Sequence, residues 1–247
     1  MLQRLGLKAL AYDWRDEHLG TFDEELYELQ QRGIRMTAFW WRGGWPESAE
    51  AADASPVMRA SLDFFERNHL QIEVWCSCKG DDLADLADEE AKYAAAARRV
   101  DALASVVNGR GCRLGLYNHG GWGGMPRNMI EIVKRLSSRD AGIVYNFHHG
   151  HEHLEDMPEA FQAMLPYLTC VNLNGMTADG PKILPLGQGE EDLKLLKMIR
   201  DSGYEGTIGI LDHRMELDAE QSLRENLEGL QNLLKELGEE AALRTYT

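Results

Sequence analysis

Short apolar runs and amphipathic stretches alternate along the whole chain. Seven runs rich in Val, Ile and Leu have the length of buried strands. They begin at Leu5, Ile34, Leu70, Cys112, Gly142, Leu168 and Gly206. Between and after them, apolar residues recur every three or four positions, which predicts helices. These helices cover residues 21–32, 55–68, 83–107, 126–138, 157–166, 190–202 and 218–238.

Several predicted helices carry residues that are typical of helix ends. Thr21 and Asp218 stand where N-caps are expected, each with a Glu or Gln three residues further on. Pro56 suits a first helical turn, and Gly203 suits a helix end. These signals support the predicted boundaries.

The order of the elements indicates the fold class. Strands that are apolar on both faces and alternate with helices are typical of a parallel sheet covered by helices. For a single domain of 247 residues, this α/β pattern predicts a TIM-type (β/α) barrel, with an open doubly wound sheet as the alternative. The dinucleotide fingerprint of the alternative does not follow the first strand, and the GGWGG tract at Gly120 follows the fourth.

Composition and charge restrict the partners. The chain has 41 acidic and 26 basic residues, so it lacks the positive charge that nucleic-acid binding requires. No apolar stretch approaches the roughly 18 residues of a membrane span. The first residues lack the apolar run of a signal peptide, and we expect a cytoplasmic protein without a membrane partner. The four cysteines, which are widely spaced apart from one CxC pair, are interpreted as small buried apolar residues.

Aromatic and polar residues are concentrated where the predicted strands end. In a (β/α) barrel the active site lies at these carboxyl ends. Rings there can stack on the C–H faces of a sugar, while amides, imidazoles and charged groups bind its hydroxyls. The predicted substrate-binding residues are Trp14, Arg15, Trp40, Tyr117, Asn146, His148, Asn172, Asn174, Lys182 and His213. A structural amide network and a solvated histidine loop are the alternatives to a ligand site.

The histidine-rich tract after the fifth strand is the densest of these segments. Strand alternation places Asn146 and His148 on one side and Phe147 and His149 on the other, unless the chain turns there. His149 directly follows the strand and is therefore a better candidate for the site than the two later histidines of the tract.

Four tracts occur in an order and spacing that resemble a known family. They are LGLYNHGG, YNFHHGH, PLGQGEEDLKLLKMIRDSGYEG and GTIGILDHR. The chain resembles the sugar phosphate isomerase/epimerase group of xylose isomerase-like TIM barrels from about Ala11 to Leu234. The resemblance implies an eight-unit barrel, a divalent metal held by Glu, Asp, His and Glu, and proton transfer on a carbonyl sugar through an enediolate. It begins at the family's second strand, so we expect seven strands, closed on themselves or covered by a second copy in a homodimer.

The resemblance places the family's metal ligands mostly on neutral residues. The first three ligands fall on Tyr117, Asn146 and Asn172, and the last falls near Leu211 or Asp212. Neutral amides bind a dication more weakly than carboxylates and imidazoles do, which predicts an altered or lost site.

A rebuilt metal site is the alternative. His119, His149 and Asp212 would supply two imidazoles and one carboxylate. Such a set could hold a divalent metal such as Mn, Mg or Zn. A divalent metal is therefore the predicted cofactor.

The predicted function is that of a sugar isomerase or epimerase, with His149, Asp212 and His119 as catalytic residues. In one hypothesis, donors such as His119, Asn172 and Lys182 stabilise an enediolate while His149 or Asp212 moves the proton. In a second, the same groups perform elimination or hydration on a keto-glycoside. The non-enzymatic alternative is a carbohydrate-binding relative without catalysis. The abasic-site endonucleases of this barrel type require a set of zinc ligands and a basic face, and the sequence has neither.

Overall fold

The computed structural model describes residues 1–13, 16–41, 43–47, 51, 55–136, 139–211 and 213–245. These residues contain the seven predicted strands, which form one sheet in chain order. The strands are β1 (Ala9–Asp13), β2 (Arg35–Trp41), β3 (Glu73–Ser77), β4 (Arg113–Tyr117), β5 (Ala141–Asn146), β6 (Leu168–Leu173) and β7 (Thr207–Ile210). The α/β class and the count of seven parallel strands are confirmed for the described part of the chain.

A helix follows every strand near its predicted place. The helices are α1 (Phe22–Gln31), α2 (Pro56–Arg67), α3 (Glu89–Asn108), α4 (Pro126–Lys134), α5 (Met157–Met164), α6 (Asp192–Asp201), α7 (Ala219–Glu236) and a short α8 (Glu240–Leu243). Helix α3 begins later than predicted because Asp88 is its N-cap, and the Asp88 carboxylate accepts a bond from the backbone N–H of Ala91.

The two predicted N-caps behave differently. Asp218 accepts a bond from the backbone N–H of Gln221, as expected. Thr21 stands at the N-cap position of α1, but its side chain makes no capping bond; its hydroxyl donates to the carbonyl of His18 and to the carboxylate of Glu25. The backbone of Thr21, with φ −115° and ψ −4°, is not extended as a capping residue requires.

The chain divides into two compact units. The first contains Leu7–Val144 together with Tyr167–Thr169. Its core includes the centres of the strands, where Phe39, Val74 and Leu114 are buried completely. The second unit consists of Met1–Gly6, Tyr145–Pro166 and Cys170–Thr247. It contains β7, most of β6 and helices α5 to α8.

The strand register fixes where side chains lie in each unit. In the first, Ser77 at the end of β3 is level with Tyr117 at the end of β4. In the second, Asn172 of β6 is level with Gly209 of β7. Because the strands are parallel, these residues stand at or near the carboxyl ends of their strands.

The PLGQGE tract after β6 is organised around one buried carboxylate. Asp192, the first residue of α6, accepts hydrogen bonds from the backbone N–H groups of Met176, Gly187 and Gly189 at 2.9, 2.7 and 3.0 Å. The side-chain oxygen of Asn226 in α7 accepts a further bond from the backbone N–H of Leu186. The loop therefore has a defined conformation that two helices maintain.

Two further expectations can be compared with the structure. All four cysteines are buried and free of disulfides, as predicted. No helix within the described ranges combines the length and the apolar character that crossing a membrane requires.

Candidate active site

A hydrogen bond between Asn146 and His148 stands at the end of β5. The strand ends at Asn146, and the chain turns at once into a 3₁₀ helix over Phe147–His153. Nδ1 of His148 lies 2.8 Å from Oδ1 of Asn146. An amide oxygen can only accept, so Nδ1–H donates, and in the neutral ring Nε2 carries the lone pair. Asn146 is 0% and His148 3% exposed. Asn146 therefore sets the tautomer and the orientation of a buried imidazole.

Two more imidazoles contact His148. The ring of His149 is 3.8 Å away between centroids, and the ring of His213 is 5.2 Å away and nearly perpendicular. His148 is buried, His149 is half-buried and His213 is exposed. We call these three residues the histidine cluster.

Asn172 presents a buried donor. Its Oδ1 accepts a bond from the thiol of Cys170 at 3.7 Å. The same oxygen lies against Gly209 so closely that a Cβ atom at that position would overlap with it. Nδ2 of Asn172 is buried and has no hydrogen-bond partner within the described residues. A buried donor left without an acceptor costs about 1–3 kcal/mol, so a ligand oxygen would be stabilising there.

Asn174 is committed to the loop that follows β6. Its Nδ2 donates to the carbonyls of Gly175 and Lys182 at 2.8 and 2.6 Å. These bonds stabilise a hairpin that is closed by the bridge between Gly175 and Leu184. The side chain of Lys182 is exposed. Nδ2 of Asn174 thus has the structural amide role that the sequence left as an alternative, while its Oδ1 is buried without a partner within the described residues.

Trp40, Tyr117 and His119 form an aromatic cluster in the first unit. The ring of Trp40 is 5.8 Å from that of Tyr117 and 5.6 Å from that of His119. The indole N–H of Trp40 donates to the hydroxyl of Ser77 at 3.3 Å. Trp75 extends the cluster by stacking on Tyr117 at 5.8 Å, which the sequence prediction missed. The sequence held no signal for Trp75 beyond its place in the third predicted strand, because its stacking on Tyr117 arises only when β3 and β4 pair.

Three predicted site residues, Trp14, Arg15 and Asp212, lie outside the described residues. The rebuilt metal set of His119, His149 and Asp212 is therefore described only in part. In the portion of the chain that is described, no group of three His, Cys, Asp or Glu side chains is arranged to hold a metal ion.

The three described residues at the family's metal positions do not fit a divalent cation, and Asp212, near the fourth position, lies outside the described residues. Tyr117, Asn146 and Asn172 are neutral in their ordinary states. The oxygens of both amides already accept hydrogen bonds, from His148 and Cys170. Divalent metals prefer carboxylate, imidazole or thiolate ligands, and this donor set offers none of them.

Residues 4–233 match the family of xylose isomerase-like TIM barrels. The chain belongs to this family, and the predicted (β/α) barrel class is thereby confirmed.

Several solved structures are similar over most of their length. A D-tagatose 3-epimerase-like protein has a TM-score of 0.71 at 16% identity, covering 95% of this chain and 91% of that chain. The IOLI protein with a zinc atom has a TM-score of 0.72 at 13% identity, with coverages of 95% and 91%. The 3-keto-D-glucoside 4-epimerase YcjR from E. coli has a TM-score of 0.69 at 13% identity, with coverages of 93% and 91%. A comparison with curated proteins gave no significant match.

Proposed function

We propose that the protein is a sugar isomerase or epimerase that transfers a proton next to the carbonyl group of a ketose, an aldose or a keto-glycoside. The observation that carries the proposal is the bond from His148 to Asn146, which fixes one tautomer of an imidazole in contact with two others. One of the similar structures is a D-tagatose 3-epimerase-like protein and another is a 3-keto-D-glucoside 4-epimerase, which supports the class of reaction.

The reaction needs a base, a donor to the carbonyl oxygen and a route for the proton. His149 takes the proton from the carbon next to the carbonyl group, and the electron pair of that C–H bond moves onto the carbonyl oxygen as an enediolate forms. Nδ2 of Asn172 donates to this oxygen. An epimer forms when a second acid delivers a proton to the opposite face of the same carbon, and the enediolate oxygen becomes the carbonyl again. An isomer forms when the proton goes to the former carbonyl carbon: the former carbonyl oxygen keeps a proton as a hydroxyl, and the hydroxyl on the neighbouring carbon gives up its proton and becomes the new carbonyl.

We assign to His148 and His213 the transfer of the proton between the base, His149, and solvent. Because Asn146 holds the proton on Nδ1 of His148, Nε2 is the atom of this ring that can accept a proton. His213 is exposed and contacts His148, so it connects the buried ring with solvent. Trp40 and Tyr117 remain predicted sugar-binding residues, since aromatic faces stack on the C–H groups of sugars.

We derive no step through a metal ion, because the neutral amides at the family's positions are poor ligands. A divalent metal on His119, His149 and Asp212 remains a prediction, supported by the zinc atom of the IOLI structure. Metal analysis of protein purified without a His tag checks it. If His119, His149 and Asp212 hold a metal ion, the H119A variant should lose it.

Deuterium exchange tests the proposed base. Ketoses incubated with the protein in D₂O should take up deuterium at the carbon next to the carbonyl, as followed by proton NMR. H149A should abolish this uptake, while H153A, at the other end of the same 3₁₀ helix, should retain it. Unchanged uptake in H149A would remove His149 from the role of base.

The second candidate is a carbohydrate-binding relative without catalysis. The neutral residues at the family's metal positions favour it. Calorimetric titration with sugars, together with metal analysis, separates the two: binding without metal or turnover supports the binding protein. Elimination on a keto-sugar is a third candidate and would be seen as an unsaturated product in the same NMR experiment.

Two further expectations accompany the proposal. The chain is proposed to act in the cytoplasm and to form a homodimer. Light scattering coupled to size-exclusion chromatography measures the mass of the particle in solution and checks the dimer.

A further inference from the structure

Glu73 is a largely buried acidic residue that the proposed reaction does not use. It stands at the start of β3, and its side chain is 13% exposed. Oε2 accepts a hydrogen bond from the indole N–H of Trp75 at 2.8 Å. Burial raises the pKa of this carboxyl, while the neighbouring polar side chains of Thr169 and Trp75 and the charge of Arg113 act in the opposite direction. A carboxyl group keeps an acceptor oxygen in either protonation state, so the bond to Trp75 persists in both.

Trp75 is the inner end of the aromatic cluster. It stacks on Tyr117 with an interplanar angle of 16°, and Tyr117 stacks on His119 at 5.9 Å and 28°. Trp75 and Tyr117 are 7% and 5% exposed, whereas Trp40 and His119 are half-buried. The buried rings of Trp75 and Tyr117 therefore pack against the half-buried rings of Trp40 and His119. A change in the orientation of the Trp75 ring should shift the ring faces that a ligand can reach.

The packing around Trp75 leaves little room for another orientation. Gly115 lies opposite Trp75 in the register of β3 and β4. A Cβ atom at Gly115 would lie 2.7 Å from Val144, 2.9 Å from the indole of Trp75 and 3.0 Å from the carboxyl carbon of Glu73. The indole and the carboxyl group therefore pack directly against the glycine backbone. An indole turned over would lose the bond to Glu73 and leave its N–H unpaired among buried groups.

We propose that Glu73 is a positioning residue: its bond to Trp75 fixes the aromatic cluster and thereby sets the affinity for a sugar. The role in affinity rests on the proposed function, whereas the role in fixing the cluster does not. The proposed role of Glu73 is confined to the aromatic cluster, so its loss should act on KM and leave kcat nearly unchanged.

The first test needs no ligand. E73L removes the acceptor, E73Q keeps an acceptor oxygen, and W75F removes the donor while keeping a ring. We expect the near-ultraviolet circular dichroism of E73L to lose the Trp and Tyr signal of the stack, with an unchanged far-ultraviolet spectrum, and E73Q to retain it. In the W75F background, E73L should have no further effect. A near-ultraviolet spectrum of E73L equal to that of the wild type would overturn the proposal, as would an equal change in both backgrounds.

The second test measures affinity with D-fructose as the probe, by quenching of tryptophan fluorescence. Loss of one hydrogen bond corresponds to about a three- to tenfold weaker affinity for E73L, with E73Q close to the wild type. Equal affinity in all variants would overturn the role in binding. If the wild type shows no response to D-fructose, the role in ketose binding fails, and the ligand-free spectra still decide whether Glu73 fixes the cluster. If E73L does not fold, E73Q and W75F are compared by near-ultraviolet circular dichroism instead. The Tyr117 contribution should change in W75F and should keep its wild-type value in E73Q.

Discussion

The hydroxyl oxygen of Tyr145 lies directly against the backbone of Gly150, where a Cβ atom would overlap with it. Tyr145 is 0% exposed, and its hydroxyl has no hydrogen-bond partner within the described residues. Burial raises the pKa of this hydroxyl, which stays protonated. The 3₁₀ helix that carries His148 and His149 can therefore pack on β5 only because residue 150 has no side chain.

Substitution of Gly150 tests this contact. G150A should lower the free energy of unfolding by about 1–3 kcal/mol, because the added methyl group overpacks the site. Y145F alone should be neutral or slightly stabilising, since it removes a buried hydroxyl without a partner. The double variant should recover part of the loss, and urea denaturation of all four proteins measures it. Additive effects of the two substitutions would contradict the contact.

Substitution of Asn146 should change the tautomer of His148. Nitrogen NMR of the histidine rings should show the proton of His148 on Nδ1 in the wild type. It should show a mixture or the Nε2 tautomer in N146A, because the acceptor is gone. N146D retains an acceptor and serves as the control. We also expect N146A to slow deuterium uptake by about ten- to a hundredfold. Persistence of the Nδ1 tautomer in N146A would show that another group sets it.

Substitution of Asp192 should destabilise the loop after β6. D192A leaves three backbone N–H groups without their acceptor, and we expect a loss of about 3 kcal/mol in the free energy of unfolding. D192N keeps one acceptor oxygen and should fall between D192A and the wild type. E190A, on an exposed neighbour, is the matched control. A wild-type unfolding midpoint for D192A would exclude the structural role of this carboxylate.

Glu73 should make stability depend on pH. Because burial raises its pKa, the folded protein binds this proton more tightly than the unfolded chain does. The resulting stabilisation is complete below the unfolded pKa of about 4.3 and is lost as the pH rises through the folded pKa. E73Q, which does not ionise, should therefore gain stability relative to the wild type between pH 4 and pH 7. Guanidinium denaturation of both proteins at pH 4 and pH 7 measures the difference in their free energies of unfolding. The same difference at both pH values would contradict the expectation.

The regular elements followed directly from the hydrophobic pattern. The strands and helices found in the structure correspond to the predicted ones because apolar residues at strand or helix spacing can be buried only in that conformation. Alternation was expected to place Asn146 and His148 on one side only if the strand continued, but the strand ends at Asn146. The turn at Phe147 was left open, since a 3₁₀ helix depends on packing such as that of Tyr145 on Gly150, which brings residues together only in the folded chain.

Hydrogen-bond partners were the least predictable part of the site. Asn172 and Asn174 are alternate residues of one segment and looked equivalent in the sequence. Asn174 is bonded to two carbonyls of its own loop, whereas Asn172 keeps a donor without a partner in the described residues. This difference arises from the hairpin that follows β6. Glu73 was missed because it stands at the amino end of its strand, away from the ends where the chemistry was sought.

The carboxylate within the loop after β6 also restricts which groups a ligand can carry there. Backbone N–H groups that converge on one point, as those of Met176, Gly187 and Gly189 do, form a receptor for anions. Asp192 fills this receptor with a carboxylate from the chain itself. A phosphate group would find these donors already taken and a negative charge in their midst. A phosphorylated sugar would therefore have to be held by cationic side chains, while an unphosphorylated one would need no such charge.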